Sequence, residues 1–288
     1  MTPMPPTDLS RWSPSITQYA DWLVADSRVD AKEWEHRINS RDLPKVEGAV
    51  AEALAWDYIG NRVDRIRRFR PTVAAKRCPD FVCSSGGQEF VLEVTNLSRA
   101  HVSKITGLDD PIRHDRGAKN YAPWDRHLKG VLTDKAGQGS ALDQPYVVFI
   151  TTLHIEASVI LCSRPHVEMI LHSRPHLRSF VDFERDVVGE VENVTDLATA
   201  AFTKKHSTEP ARRHVSAMLV GGFGAYPDVR VFGLLHPEAI RPLQPGAIHE
   251  TPFCYWREWP PREEIEVGWT DQPAAPKEAQ VNRSRLIL

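Results

Sequence analysis

CPDFVCSSGGQEFVLEVTNL, residues 78–97, consists of two short apolar runs joined by Ser84-Ser85-Gly86-Gly87. Val82 and its neighbours before the turn, and Phe90 to Val94 after it, read as the antiparallel strands of a hairpin. Asp80 opens the first strand and Glu93 lies in the second, 13 residues on, so strand pairing can bring their carboxyls together. An ionised acid amid Val-Leu-Glu-Val needs a partner. A shared divalent cation is the partner that favours two ionised carboxylates at close range. The competing account, acids on a solvated strand face, suffices for a single carboxylate; the pair favours the metal. Such a site calls for a third acid and a cationic side chain from elsewhere in the chain.

The 288 residues are enough to bury a full core, and 36 Lys and Arg nearly balance 38 Asp and Glu. That balance excludes a globally polybasic nucleic-acid binder and leaves a local patch as the only basic footprint. RVDRIRRFRPTVAAKR, residues 62–77, supplies one: seven basic residues surround Val63, Ile66 and Phe69, as in a strand whose outer side is cationic. Beside a carboxylate pocket, Arg65, Arg67 and Arg70 would suit the phosphates of a polyanionic substrate. Cys78, Cys83, Cys162 and Cys254 are too few and too irregularly spaced for a disulfide framework or a zinc site, which points to a reducing cytoplasm. The start, MTPMPPTDLSRW, has no export signal, and no run of apolar residues is long enough to span a membrane.

Helical spacing of Trp12, Ile16, Tyr19, Ala20, Leu23 and Val24, continued by Trp34 and Ile38, gives residues 1–43 as a helical extension. A second helix runs from Pro44 to about Ile59, with Glu47 and Glu52 flanking its apolar arc. Residues 98–118 lack periodicity and read as a loop bordering the site; a helix follows from Pro123 to Ala136. The unbroken apolar run Tyr146 to Ile150 is a strand buried on both faces, so the class is α/β, a mixed sheet flanked by helices. His154, His166, His172 and His176 lack metal-ligand spacing. A polar helix is expected near Asp196 to His206, then strands at His214 to Gly222 and Val229 to Leu235. One domain spans 44–245, and the Pro- and Trp-rich stretch 246–288 is an irregular, partly disordered tail.

Pro79-Asp80 followed by Glu93-Val94-Thr95, after a helix carrying Glu47, resembles the PD-(D/E)xK, or restriction-endonuclease-like, superfamily of phosphodiesterases. Thr95 stands where that pattern has lysine. The ordered series Glu47 with Glu52, PDF at 79–81, EVT at 93–95, Lys135-Ala136 and Leu142-Asp143-Gln144-Pro145-Tyr146-Val147-Val148 is similar to a narrower group of uncharacterised bacterial proteins. Val-Ser-Ala-Met-Leu-Val at 215–220 and HPEAIRPL at 236–243 extend the likeness to about residues 40 to 245.

The resemblance implies a restriction-endonuclease-like core and a nuclease that hydrolyses DNA in bacterial defence or DNA processing. It implies Mg²⁺ or Mn²⁺ held by Asp80, Glu93 and the Val94 carbonyl, with Glu47 reaching it through water and Glu52 and Thr95 as further candidates. Lys135, from the helix after the hairpin, would replace the missing lysine, and Gln138 shares its face. The other reading of Lys135 is a lysine complementing a helix C-terminus. DNA is the implied partner, with a second copy or a defence-system protein beside it. The alternative function is a catalytically inactive, nuclease-like nucleic-acid-binding or scaffold protein, which Thr95 in place of lysine also fits.

Overall fold

The hairpin is the start of a much larger sheet. A computed structural model describes residues 10–70, 78–108, 122–160, 162–182, 187–225, 229–262, 264–272 and 284–286. Three helices come first: α1 (Ser13–Asp26), α2 (Arg28–Ile38) and α3 (Leu43–Gly60). Strands β1 (Arg65–Arg68), β2 (Phe81–Ser85) and β3 (Gln88–Leu97) follow, then α4 (Arg99–Thr106), α5 (Ala122–Gly139) and β4 (Tyr146–Thr152). The second half contains α6 (Ile155–Ile160), α7 (Arg164–His172), β5 (His176–Asp182), β6 (Val187–Thr195), β7 (Ala217–Gly222) and β8 (Arg230–Leu235). It ends with β9 (Phe253–Trp256), β10 (Glu264–Ile265), β11 (Val267–Trp269) and β12 (Ser284–Leu286).

Eight strands form one mixed sheet in the order β1-β2-β3-β4-β7-β8-β9-β11, and four form a second, β10-β12-β6-β5. The β2–β3 turn works because Gly86 and Gly87 take φ of 54° and 82°, the left-handed region that a side chain penalises. From β3 the chain crosses over through α4 and α5 to β4, which pairs parallel to it. Every residue of β4 is buried, and alternate side chains divide between two cores. Val147 and Phe149 join Phe90, Leu92 and α3 on one face; Tyr146, Val148 and Ile150 join Val91, Trp124, Leu128 and Leu132 on the other. The sheet is therefore sandwiched, and its layers fix α3 and α5 on opposite sides of β3.

Three expectations need correction. Residues 98–118 are not all loop: Ser98 accepts from the His101 amide through its hydroxyl and starts α4. No helix covers 196–206, where Leu197 and His206 take φ of 55° and 53° and the chain turns repeatedly. The tail is not merely irregular, because β9 pairs with β8, and β11 with β9, extending the main sheet. The expected mobility of the first residues and disorder of 273–283 fall outside the described residues, but at 284–286 the chain is not disordered: β12 pairs with β6 and β10. No helix among the described residues is long and apolar enough to cross a membrane.

The helical extension is bound tightly to the domain. Trp12, Tyr19, Leu23 and Trp34 are buried against α3, and the Trp34 indole donates to the Ala49 carbonyl at 3.0 Å. Each such apolar side chain contributes roughly 1.5–3 kcal/mol on burial. The first 43 residues are thus a structural part of the body, and two of them, Tyr19 and Arg37, reach the buried Glu52.

Candidate active site

Asp80 directly precedes Phe81, whose partner on β3 is Leu92, so it stands beside Glu93 at the end of the hairpin. Its position is held from both sides. The Asp80 amide donates to the Leu92 carbonyl at 3.1 Å, and its own carbonyl accepts from the Phe69 amide at 3.1 Å. One carboxylate oxygen, Oδ2, accepts from the Val94 amide at 2.7 Å.

Glu93 lies on the α5 face of β3 and is 7 % exposed. Its Oε1 pairs with the Lys135 ammonium, which α5 brings across the sheet face. Its Oε2 is buried with no hydrogen-bond partner, and so is the Thr95 hydroxyl two residues on, along the same face. Adjacent buried polar atoms without partners are costly, and their usual explanation is a ligand, ion or water. Next to them, Tyr146 opens β4 and donates its hydroxyl to Gln138 Oε1 at 3.3 Å. Gly139 makes that approach feasible, since a Cβ there would stand 2.5 Å from Tyr146 Cδ1.

The two glutamates of α3 part company. Five residues at about 100° each separate them by about 140° around the helix, so they cannot serve one point. Glu52, 5 % exposed, accepts from the Tyr19 hydroxyl at 2.5 Å, Arg37 at 2.6 Å and Arg68 at 2.8 Å. Glu47, 1 % exposed, faces Arg99 instead, accepting from its amide at 2.9 Å and its Nε at 3.0 Å. A carboxylate at the first residue of α4 also complements the helix dipole. Glu47 therefore ties α3 to α4, and Glu52 is the acid whose charge acts on Asp80. Replacing Glu47 by Ala removes the two charge-assisted hydrogen bonds that join α3 to α4, and we expect a loss of about 1.5–3 kcal/mol in urea unfolding. A Glu47 that served only as a metal ligand would leave that unfolding curve unmoved.

Charge is crowded at the hairpin end. Burial raises the Asp80 carboxyl well above the usual carboxylate range, and the like charges of Glu52 and Glu93 push it the same way against the Val94 amide and Arg68. Burial also raises Glu93, opposed by Lys135. The Tyr146 phenol is raised by burial and then by Glu93 and Asp80, so it stays protonated as a donor. The pocket is thus short of positive charge despite Lys135 and Arg68.

A hard divalent cation fits this donor set. The two carboxylates offer oxygen only, an oxygen of Glu93 lacks a partner, and their mutual repulsion is relieved by a positive charge. The fit is to two carboxylates rather than three. Among the described residues no group of three or more His, Cys, Asp or Glu side chains is arranged to hold a metal ion.

The basic strand is divided in use. Arg65 is exposed on β1. Arg67 pairs with Glu89 at 3.0 Å near the surface, while Arg70 is held by Asp26 and Asp30 at 2.7 and 2.5 Å. Arg68 points inward to Glu52. Tyr19, Arg37, Arg68 and Tyr146 belong to the site or its supports and were not singled out from the sequence. Arg68 could have been found as the inward-facing member of an alternating basic strand. Tyr19 and Arg37 reach Glu52 from far along the chain, and no local pattern announces them.

No family model, curated protein or solved structure matched the chain in comparisons.

Proposed function

We propose that the chain is a metal-dependent nuclease of the PD-(D/E)xK type, hydrolysing phosphodiester bonds of DNA, with its active-site amine supplied by α5. The observation that carries this reading is the meeting of Asp80, Glu93 and the Lys135 ammonium at the end of one hairpin, with Glu93 Oε2 buried and unpartnered. The order of elements agrees with it: a helix, three antiparallel strands, a helical crossover through α4 and α5, and a strand parallel to the third.

Asp80 and Glu93 would hold the Mg²⁺ or Mn²⁺. When bound, the cation supplies a water of lowered pKa and offsets charge on the phosphate. Lys135 holds its positive charge beside Glu93, where it orients an attacking water and stabilises negative charge developing on the phosphoryl oxygens. Tyr146 presents a protonated hydroxyl to the same pocket, and Gln138 orients it. Glu52 keeps Arg68 and Tyr19 locked behind Asp80, which fixes the carboxylate instead of binding substrate. Arg65 and Arg67, at the surface of β1, supply the cationic path for flanking phosphates.

Calorimetric titration with Mn²⁺ tests the reading without a substrate. The wild-type chain should show saturable binding that Asp80→Asn abolishes. Absence of binding in the wild type would favour the non-catalytic, nuclease-like scaffold. A second variant tests the supporting layer. Tyr19→Phe removes one donor to Glu52 while Arg37 and Arg68 keep theirs, so stability should fall by about 1 kcal/mol in chemical denaturation.

A further inference from the structure

A second pair of potential metal ligands lies apart from the carboxylates. His101 on α4 and His127 on α5 bring their Nε2 atoms to 3.2 Å, and both rings are half-buried. Their centroids are 4.3 Å apart with planes tilted by 48°. One ring nitrogen can donate to the other across this distance, the direction being set by the tautomers.

The spacing suits a different role. With metal–nitrogen bonds of about 2.05 Å, two nitrogens 3.2 Å apart subtend about 100° at a shared ion, close to tetrahedral. We propose that His101 and His127 form a two-imidazole site for a borderline divalent transition metal of the Zn²⁺ class. Imidazole nitrogen is the donor that such ions prefer over the oxygens suited to Mg²⁺. Asp134 on α5 adds a negative field at His127 that favours a cation. No third side chain of the ligating types completes the set among the described residues, so water or an added ligand takes the remaining positions. The site is separate from the proposed catalytic one, because His127 precedes Lys135 by eight residues, about 12 Å along α5. A metal here would clamp α4 to α5, the two elements of the β3–β4 crossover, and does not depend on the nuclease reading.

The test is calorimetric titration of the full chain with Zn²⁺ under saturating Mg²⁺. A one-equivalent step is expected, weakened at least about tenfold in both His101→Gln and His127→Gln and unchanged in Asp80→Asn. Retention of the step in either histidine variant, or no step in the wild type, overturns the proposal. Should the variants fold poorly, nitrogen NMR of the wild-type imidazoles decides. Zn²⁺ must shift Nε2 of His101 and His127; a response confined to other histidines, or none, overturns it.

Discussion

Asp80→Asn should cleave DNA at least about a thousandfold more slowly than the wild type and yet melt at a higher temperature in metal-free buffer at neutral pH. Loss of one of only two carboxylate ligands removes the several kcal/mol of charge stabilisation that a bound cation supplies, and each 1.36 kcal/mol is about tenfold in rate. The gain in stability comes from the same crowding. A carboxyl whose pKa is raised on folding holds its proton more tightly in the native than in the unfolded chain. Its ionisation therefore costs stability, a cost absent below the unfolded pKa and complete once pH rises through the folded one. Asp80 is raised by burial, Glu52 and Glu93, so at neutral pH it is a net liability to the metal-free fold. Asn keeps an oxygen to accept from the Val94 amide while discarding the charge. Melting followed from pH 8 downwards should show an advantage of about 1 kcal/mol for the variant, the usual scale of such trade-offs. The advantage should shrink towards acid, and Mn²⁺ should raise the melting temperature of the wild type alone. A variant less stable than the wild type at neutral pH would show that Asp80 is a structural acid.

Lys135→Ala should lose about a hundredfold to a thousandfold in turnover, as removal of a single preorganised charge-stabilising group commonly does. The loss should fall mainly on kcat, because the half-buried Lys135 stands beside Glu93 and acts where charge develops. Lys135→Arg keeps the charge but spreads it over a planar fork too large for the same slot, and should recover only part of the rate. Folding should survive both changes. Metal binding should survive as well, since the two carboxylates remain. Unchanged turnover in Lys135→Ala would reduce the lysine to a helix-end charge paired with a buried acid.

The hairpin was legible because its determinants are local: Gly86-Gly87 demands a tight turn, and the short apolar runs Phe81–Cys83 and Phe90–Leu92 on either side read as its strands. The buried strand at Tyr146 was legible for the same reason. Which glutamate of α3 serves the site was not. Glu47 and Glu52 look alike in sequence, and only distant partners separate them, Arg99 for one and Tyr19, Arg37 and Arg68 for the other. Lys135 was found through a resemblance of pattern; nothing in its own surroundings distinguishes it from any lysine near a helix end. Residues 196–206 misled because a polar, turn-free composition says nothing about the left-handed backbone at Leu197 and His206. The tail strands were hidden by brevity. Phe253–Trp256 is a strand because β8 offers it an edge, and Val267–Trp269 because β9 then offers the next, facts set by the rest of the fold.

The central claim is that the Asp80–Glu93–Lys135 pocket breaks phosphodiester bonds with a divalent cation. Incubating the purified full-length chain with end-labelled duplex DNA, single-stranded DNA and RNA, each with Mg²⁺, Mn²⁺ or EDTA, tests it most directly. The account predicts that DNA is cut with Mg²⁺ or Mn²⁺, that EDTA abolishes cutting, and that Asp80→Asn and Lys135→Ala lack it. DNA left intact under every condition, or cut equally well in EDTA, would contradict it.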